Sequence, residues 1–328
     1  MAFVPGRILV TGASGFVGQH LLRRLRQDFP GAELVAAERG AICPGADRSL
    51  PMDLERPEAM DALVKDAAPD AILHLAAQAA VGEAFANPGR TWRLNLLGTL
   101  ALADAALAHA PAAPFLFASS AEVYGLTFRD REAPLDEDAP MRPANPYAAS
   151  KAACDIALGE LALRGLRVLR MRPSNHAGAG QGEGFVLAAF AAQIARIEAG
   201  LQPPVMRVGA LDRWRDFLDV GDVCGAYALA LREADRLPAG TVLNIASGQP
   251  RRIGDILQAL LDRSTASITV QEDAARLRPT DVPRTVGDAT RLRDTLGWTP
   301  AIGWDVTLDV VLADWRGRVG AQRAMAGG

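Results

Sequence analysis

Cysteine and histidine are scarce in this sequence, and they are scattered. Three cysteines and four histidines occur among 328 residues, without the close spacing that metal ligands usually show. An odd number of widely separated cysteines also argues against a disulfide framework. We therefore expect no metal centre and no disulfide framework.

Long hydrophobic runs and an excess of one charge are lacking too. No apolar run reaches the ~18 residues that span a membrane, and a strand begins almost at once, with no signal peptide before it. The 35 basic and 38 acidic residues nearly cancel, which leaves no basic footprint for nucleic acid or an anionic membrane. These absences predict a cytoplasmic protein that binds neither nucleic acid nor a membrane. The 49 % of hydrophobic residues supply ample core for one large domain or two intimate ones.

A glycine-rich turn follows the first predicted strand, residues 7–11. Gly12, Gly15 and Gly18 come next, and a helix is predicted over residues 19–27. Strand, glycine turn and helix form the context that turns a glycine pattern into a dinucleotide site. The first glycine permits the tight turn, the second admits a pyrophosphate, and the third lets helix and strand pack closely, while the helix N-terminus offers N–H groups to the anion. The neighbouring turn residues are included in the predicted site: Ser14, Phe16 and Val17.

The second predicted strand, residues 33–37, ends at Glu38 and Arg39. An acidic residue at this point can hold the adenosine ribose of NAD, whereas an arginine can meet the 2′-phosphate of NADP. Both are present, so the choice between NAD and NADP stays open, with a slight lean to NADP because of Arg39. Asp53 and Leu54 follow a third short strand and are expected near the adenine.

Further apolar runs continue the alternation of strands and helices. They predict strands over residues 71–77, 114–118, 167–171 and 241–247, and a long helix over 91–108. Repeated βα units indicate an α/β fold with a doubly wound parallel sheet of the Rossmann type. Ligands then bind at the carboxyl ends of the strands, where the glycine turn, Ser119 and Ser120 lie.

Tyr147 and Lys151 are four residues apart on a predicted helix, so they lie one above the other. Asn145 is the expected N-cap and Pro146 the first residue of this helix. The lysine ammonium favours the phenolate and should lower the pKa of Tyr147 towards the working pH. Such a tyrosine can move a proton to or from a sugar or steroid hydroxyl while a nicotinamide moves the hydride.

Four motifs occur in one order: TGASGFVG at residues 11–18, HLAA at 74–77, SSAEVYG at 119–125 and NPYAASK at 145–151. This order resembles the extended short-chain dehydrogenase/reductase family, which comprises nucleotide-sugar epimerases, dehydratases and reductases. The resemblance spans nearly the whole chain. It implies a Rossmann domain formed by residues 1–172 and 214–246, and a smaller α/β substrate-binding domain for the nucleotide sugar formed by residues 173–213 and 247–328.

The resemblance implies a role for each matching residue. Ser120 hydrogen-bonds the reacting hydroxyl or carbonyl, Tyr147 is the acid/base, and Lys151 holds the ribose and lowers the pKa of the tyrosine. Glu122 returns to the side of Ser120 if the segment is extended; it matches the base of the family's dehydratases and permits dehydration without proving it. The loop beside the nicotinamide ribose corresponds to Leu75, Ala76, Ala77 and Gln78. A helix residue that supports the lysine side corresponds to Asn95.

The same resemblance implies the substrate contacts. Asn175 matches the asparagine of an R-P-x-N motif that contacts the substrate, and residues 182–186 resemble a segment that covers the diphosphate and base. Arg215 matches an arginine that grips the diphosphate, for which the guanidinium fork is well suited because it donates two parallel hydrogen bonds. Further substrate contacts are expected at Ser119, Ser120, Val186, Arg207, Arg278 and Asp281.

Within the family, residues 175–217 and 276–298 look most like the GDP-mannose branch, which includes a 4,6-dehydratase and a reductase of its keto product. The dehydratases carry a long arginine-rich insertion after the second strand, whereas residues 39–51 are a short segment here. We therefore expect an NAD(P)H-dependent reductase of the C4 keto group of a GDP-4-keto-6-deoxyhexose, acting as a homodimer. The alternatives are a GDP-mannose 4,6-dehydratase, a nucleotide-sugar 4-epimerase, and a dinucleotide-binding protein without turnover.

Overall fold

A parallel sheet of seven strands forms the centre of the larger part of the molecule. The computed structural model of the protein describes residues 2–40, 42–273, 275 and 282–326. The strands are β1 (Arg7–Thr11), β2 (Glu33–Glu38), β3 (Arg48–Pro51), β4 (Ala71–His74), β5 (Phe115–Ala118), β6 (Val168–Pro173), β7 (Asn175–Ala177), β8 (Val205–Val208), β9 (Trp214–Asp219), β10 (Thr241–Ile245), β11 (Pro250–Arg252), β12 (Thr269–Glu272) and β13 (Arg284–Thr285). The helices are α1 (Phe16–Asp28), α2 (Met60–Ala67), α3 (Val81–Ala86), α4 (Pro88–Trp92), α5 (Gly98–His109), α6 (Thr127–Asp130), α7 (Pro146–Leu163), α8 (Val186–Glu198), α9 (Val220–Arg232), α10 (Ile253–Leu261), α11 (Thr290–Leu296) and α12 (Trp304–Ala326).

The strand order places a binding cleft at the middle of this sheet. The order is β10-β6-β5-β4-β1-β2-β3, and every pairing within it is parallel. The chain runs outward from β1 through β2 and β3, then crosses back to β4 and continues in the other direction. Parallel sheets bind ligands at the carboxyl ends of the strands beside such a switch point. The arrangement confirms the predicted α/β fold with a doubly wound parallel sheet.

Both faces of the large sheet are covered by helices, which explains why its strands are apolar throughout. In β1, Ile8 and Val10 pack into one core with α1 and α9, and Leu9 packs into another core with α2, α5 and α7. Successive side chains of a strand point to opposite faces. A parallel sheet that is buried on both faces therefore reads as a nearly continuous apolar run.

The smaller part of the chain packs around a core of its own. β9 pairs with β7, β11 and β13, β8 pairs with β12, and α8, α10 and α12 enclose apolar side chains between them. Residues 173–213 and 247–328, the predicted nucleotide-sugar domain, supply most of this core. Leu292 and Trp298 instead pack in the core of the large sheet, and Trp298 Nε1 donates to the Asp222 carbonyl of α9 at 3.3 Å. The two-domain division stays a proposal.

Several predicted boundaries differ from the observed ones. The strand predicted over 71–77 ends at His74, and the helix predicted over 91–108 is divided into α4, a π-helical segment (Arg93–Leu97) and α5. Glu122, expected on an extended segment, lies in a 3₁₀ turn (Ala121–Tyr124). In the π segment, Asn95 Oδ1 accepts from the Gln78 N–H at 2.7 Å. Such contacts with distant segments cannot be predicted from the local spacing of apolar residues.

The start of α7 was predicted correctly. Asn145 Oδ1 accepts a hydrogen bond from Ala148 N at 2.8 Å, and Pro146 is the first helical residue. An N-cap and a proline at the first position act within one turn of the chain. The start of this helix could therefore be read from neighbouring residues alone.

Gly18 is a point of very close approach between α1 and the glycine turn. A Cβ there would lie 2.3 Å from the Gly12 carbonyl oxygen and 2.6 Å from Ala13 Cα. Because the obstacle is backbone, we expect Gly18→Ala to lower the free energy of unfolding by ~1–3 kcal/mol. A Cβ on Gly31 meets nothing within 4 Å, so Gly31→Ala is the matched control and should change stability by less than about 0.5 kcal/mol. Urea unfolding measures both, and equal stability of the two variants would contradict the close packing.

Candidate active site

One cavity of about 1260 Å³ runs along the carboxyl edge of the large sheet and continues against the smaller part of the chain. Most of the predicted site residues line it. On the dinucleotide side they are Gly12, Ser14, Gly15, Phe16, Val17, Gly18, Glu38, Arg39, Asp53, Leu54, Leu75, Ala76, Ala77, Gln78, Tyr147 and Lys151. On the substrate side they are Ser119, Ser120, Glu122, Asn175, Val186, Arg207 and Arg215. Arg278 and Asp281 lie outside the described residues.

The glycine turn between β1 and α1 forms a cradle that only small residues permit. Gly12 has φ of +69°, and a Cβ on it would lie 2.8 Å from Ala76 N. Gly15 is the N-cap residue of the 13-residue helix α1 and makes no side-chain cap. The first N–H groups of α1 therefore face the cavity without a protein side chain capping them. This cradle fits the pyrophosphate of a dinucleotide.

A buried histidine positions the loop after β4. Ala76 N donates to Thr11 Oγ1 at 3.2 Å, and Thr11 Oγ1 is also hydrogen-bonded to His74 Nδ1, 2.7 Å away. On the other side of the ring, His74 Nε2 is hydrogen-bonded to Thr99 Oγ1 at 2.8 Å. Burial, and then the charge of Lys151, lowers the pKa of His74 to about 3. The imidazole is thus neutral and ties β1, the loop and α5 together.

Asn95 lies behind the cavity wall and does not line it. It is buried and accepts from Gln78 N at 2.7 Å, while its amide donates to the Gln78 carbonyl at 3.0 Å and to Ser150 Oγ at 2.9 Å. Ser150 is part of α7, next to Lys151. Asn95 therefore connects the loop to α7, and its predicted supporting role is a matter of positioning.

Ser120 and Glu122 belong to one turn that faces Tyr147. Ser120 Oγ caps this turn by accepting from Glu122 N at 3.1 Å. The Glu122 carboxylate accepts from Asn145 Nδ2 at 3.2 Å, and Asn145 also caps α7. The same asparagine therefore holds the carboxylate and begins the helix that carries the tyrosine.

The phenol of Tyr147 keeps its proton at neutral pH. Burial raises the pKa of Tyr147 to about 12; a hydrogen bond with Ser120 lowers it, and the charge of Glu122 raises it. The expectation that Lys151 lowers this pKa is wrong for this structure. Lys151 Nζ donates to the Ala118 carbonyl at 2.7 Å and lies 4.8 Å from the centre of the Phe117 ring. Tyr147 is therefore set to donate a proton.

Burial lowers the pKa of Lys151 to about 8, although the charges of Cys154 and Asp155 oppose the shift. The side chain is 4 % exposed, so its ammonium depends on the carbonyl of Ala118 in place of water. A lysine held in this way is close to losing its charge near neutral pH. Its charge is thus sensitive to any anion or hydroxyl that enters the cavity.

The end of the cavity beside β2 and β3 carries a buried carboxylate. Glu38 is 5 % exposed, and neither of its carboxylate oxygens has a hydrogen-bond partner among the described residues. Arg39, the next residue, is exposed. Asp53 and Leu54 line the cavity beyond β3. Buried acceptors without partners fit a ligand that brings its own donors.

The substrate end is built by β7, β8, β9 and the start of α8. Asn175 Nδ2 donates to the Asp216 carbonyl at 3.4 Å. Arg215 lies in β9, and its guanidinium donates to the Trp214 carbonyl at 2.8 Å. Strand pairing between β7 and β9 brings Asn175 opposite Phe217. Two segments about forty residues apart in sequence therefore share one wall.

Sequence reasoning missed two groups of cavity residues. Phe85, on α3, lines the cavity, as do His176 in β7 and Gln181 after it. The His176 ring stacks on Phe16 with centroids 6.2 Å apart, which joins the substrate side to the glycine turn. His176 directly follows the R-P-x-N motif that ends at Asn175, so this motif was the signal that could have identified it. Nothing in the sequence indicated Phe85, because a helix as short as α3 shows no clear spacing of apolar residues.

Metal-binding clusters and membrane-spanning helices are both absent from the described part of the chain. Among the described residues, no group of three or more His, Cys, Asp or Glu side chains could hold a metal ion. No helix within the same ranges is both long and apolar enough to cross a membrane.

Comparisons with known proteins place this site in a wider context. Residues 9–309 match a protein family described as GDP-mannose 4,6 dehydratase. GDP-6-deoxy-D-mannose reductase of Pseudomonas aeruginosa is 41 % identical over 315 residues, which cover 95 % of this chain and 98 % of the relative. UDP-glucose 4-epimerase of Azospirillum brasilense is 31 % identical over 330 residues, which cover 92 % and 93 %.

Solved structures of nucleotide-sugar enzymes are similar to this one along nearly the whole chain. RMD from Pseudomonas aeruginosa, complexed with NADPH, has a TM-score of 0.80 and 37 % identity, covering 95 % of this chain and 99 % of that chain. UDP-glucose 4-epimerase of Thermus thermophilus, in complex with NAD, has a TM-score of 0.82 and 29 % identity over 95 % and 99 %. Both the large sheet and the smaller part of the chain are therefore shared with these proteins.

The shifted lysine can be observed directly, because the chain contains only two lysines, Lys65 and Lys151. We expect the ¹³Cε resonance of Lys151 to titrate with a midpoint of about 8, with exposed Lys65 as the internal reference and Lys65→Met as the assignment control. Between pH 8 and the ordinary value of 10.5 the unfolded chain binds more protons at this residue, so its contribution to stability rises with pH. A midpoint above pH 10 would contradict the burial argument.

Proposed function

Because this chain belongs to the GDP-mannose 4,6 dehydratase family, within the extended short-chain dehydrogenase/reductases, we propose that it reduces the C4 keto group of a GDP-4-keto-6-deoxyhexose with NAD(P)H. The observation that carries the proposal is the 41 % identity to a GDP-6-deoxy-D-mannose reductase over 95 % of the chain. The site geometry supports it, since a reductase needs a proton donor and Tyr147 is a protonated phenol at neutral pH.

The proposed reaction adds a hydride to C4 and a proton to O4, which converts the ketone to an alcohol. The bound nicotinamide supplies the hydride. Ser120 donates a hydrogen bond to the carbonyl oxygen and orients it, and Tyr147 transfers its phenolic proton to that oxygen. The tyrosinate that remains after this transfer is then reprotonated from solvent. Lys151 holds the ribose of the dinucleotide.

The glycine turn and the α7 network have separate tasks in this proposal. The N-terminus of α1 would hold the pyrophosphate of the dinucleotide, and the loop at Ala76 would border its nicotinamide end. The contacts of His74 and Asn95 hold that loop against β1 and α7. A fixed distance between the loop and α7 would orient the sugar and the dinucleotide towards Tyr147, and such orientation lowers the barrier.

A GDP-mannose 4,6-dehydratase is the second candidate, because Glu122 lies in the same cavity. Its carboxylate is held by Asn145 on one side and could take a proton next to a keto group. The arginine-rich insertion of the dehydratases, however, has no counterpart in the short segment between β2 and β3. The absence of this insertion from the segment between β2 and β3 favours the reductase.

We propose that the protein forms a homodimer through α7 and its neighbouring helices. Ile156 is 60 % and Leu163 is 89 % exposed on one face of α7, and Leu97 and Trp92 are exposed on the adjoining segments. Exposed apolar side chains that are contiguous usually mark an interface. Two copies of this face would form a four-helix arrangement.

We also propose a cytoplasmic location and no role for nucleic acid. Cys43, Cys154 and Cys224 are buried free thiols, which suits a reducing compartment. The net charge of −3 gives no general attraction to polyanions.

The reaction is tested by offering the purified protein two substrates, each with NADPH or NADH. With the 4-keto-6-deoxy derivative of GDP-mannose we expect loss of absorbance at 340 nm and a product two mass units heavier. With GDP-mannose alone we expect no reaction. Loss of water from GDP-mannose without net cofactor consumption would instead establish the dehydratase.

Tyr147→Phe tests the proton donor. We expect kcat to fall by about 10²–10⁴-fold, with folding and dinucleotide binding retained, because the ring remains and only the hydroxyl is lost. Dinucleotide binding and the free energy of unfolding, both measured on the same variant, are the controls. Unimpaired turnover by Tyr147→Phe would rule out the mechanism.

The dimer is tested by light scattering on Ile156→Glu/Leu163→Glu. We expect a dimer for the unaltered protein and a monomer for the variant, since a charge on each side chain cannot be desolvated at low cost. A charged substitution at exposed Val306 of α12 is the control. A monomeric unaltered protein would contradict the proposal.

A further inference from the structure

The strand β8 has a strand neighbour on one edge only. It pairs in parallel with β12, and no further strand joins this small sheet among the described residues. The carbonyls of Pro204 and Val208 accept from the backbone of residues 269 and 273, at 2.9 and 2.8 Å. The even-numbered residues of β8 therefore bond towards β12. The backbone N–H and C=O of Arg207 point to the opposite, open edge, because successive residues of a strand bond to opposite sides.

A buried glutamine fills the open edge beside Arg207. Gln193, in α8, is 8 % exposed. Its Oε1 accepts from Arg207 N at 3.0 Å, and its Nε2 donates to the Arg207 carbonyl at 3.1 Å. A side-chain amide carries an acceptor and a donor side by side, as a peptide does. Gln193 therefore takes the place of a strand partner, and Gln202 Nε2 bonds the next outward carbonyl, that of Val205, at 2.9 Å.

The position of Gln193 in α8 links this pairing to the cavity of the candidate site. Val186, Ala189 and Gln193 occur at intervals of three and four residues, so they lie on one face of the helix, and all three line that cavity. Both neighbours of Arg207 in β8 are buried in the core, which turns the arginine side chain outward. One amide thus joins the helix that begins beside the cavity to the strand that carries Arg207.

The Arg207 side chain borders two cavities. It lines the cavity of the candidate site, and it also lines a second cavity of about 700 Å³ beside Gln202 and Gln271. Arg213 and Arg215 line the first cavity too, so positive charge gathers at its substrate end. A long side chain loses rotamer freedom when it binds, and a backbone held on both edges limits the directions that it can take.

We propose that Gln193 is a positioning residue for substrate binding, which pairs the open edge of β8 and thereby holds Arg207 against the diphosphate of the nucleotide sugar. The inference rests on the proposed function, because it concerns the substrate of that reaction. The guanidinium fork of Arg207 binds the phosphate oxygens. Gln193 acts only through the backbone of Arg207, since its own amide is occupied.

The proposal is tested first by calorimetry with GDP as the probe. Gln193→Met keeps the length of the side chain and removes both hydrogen bonds to Arg207. We expect it to weaken GDP binding about fivefold, and Arg207→Ala to weaken it about tenfold, the order expected for one charge-assisted hydrogen bond. NADPH binding should stay unchanged in both. Gln258→Met is the matched control, because exposed Gln258 bonds Asp262 near the end of α10 at 2.8 Å; its GDP affinity should equal that of the unaltered protein.

Turnover of the 4-keto-6-deoxy derivative of GDP-mannose gives a second readout. We expect Gln193→Met to raise KM about fivefold and to leave kcat unchanged, since a contact with the diphosphate binds ground state and transition state alike. Hydrogen exchange of the peptide that spans β8 should be faster in Gln193→Met, because the Arg207 N–H loses its acceptor. If Gln193→Met does not fold, Gln193→Glu, which keeps the acceptor but not the donor, should show the same pattern.

The double variant Gln193→Met/Arg207→Ala separates action through Arg207 from a general loosening of the fold. It should bind GDP no more weakly than Arg207→Ala alone, because the glutamine has no guanidinium left to position. Independent effects would instead multiply to about fiftyfold. Such a product would overturn the proposal, since Gln193 would then act on the ligand by another route.

The remaining outcomes distinguish this inference from the proposed function. Unchanged GDP binding by Gln193→Met would overturn the inference and leave the reductase intact. Equal losses of GDP and NADPH binding in that variant would assign Gln193 to the stability of the fold alone. An unaltered protein that neither binds GDP nor reduces the keto sugar would remove the proposed function and this inference together.

Discussion

The ion pair between Asp155 and Arg172 is the interaction on which the rest of the site depends. Asp155 is wholly buried in α7, and Arg172 in β6 donates to its two oxygens at 2.9 and 2.8 Å. Ser119 Oγ donates to the same carboxylate at 2.7 Å. The pair therefore joins the helix of Tyr147 to β6, and Ser119 connects both to the end of β5, next to Ser120. Removing one partner of such a pair costs about 3–5 kcal/mol, because the other charge stays buried.

The pair is stable because a wider network satisfies its remaining polar atoms. Arg172 also donates to the Tyr124 hydroxyl at 2.9 Å, and Tyr124 donates to Asn244 of β10. Glu38 has no such network among the described residues. The Asp155 carboxylate thus shows how a buried charge with partners holds the fold together.

Much of the fold could be predicted from the spacing and type of neighbouring residues, but the site could be predicted only in part. The runs Arg7–Thr11 and Phe115–Ala118 are apolar because both faces of a parallel sheet are buried, and Asn145 with Pro146 marked the start of α7. The π segment around Asn95 and the turn at Glu122 could not be foreseen, because contacts with segments far along the chain shape them. The expected effect of Lys151 on Tyr147 was wrong for a related reason: four-residue spacing places two side chains near each other but does not say where the ammonium points.

By itself, the sequence determined the order of strands and helices, the glycine turn, and the residue types available for proton transfer, since hydropathy, caps and glycine spacing act over a few residues. Tertiary structure alone decided which charges are paired. It buried Tyr147 so that its pKa rises to about 12, turned Lys151 towards the Ala118 carbonyl, and left Glu38 without a partner among the described residues while Arg39 beside it reaches solvent. Protonation and pairing depend on the summed burial and contacts of distant segments, and those come together only when the chain is folded.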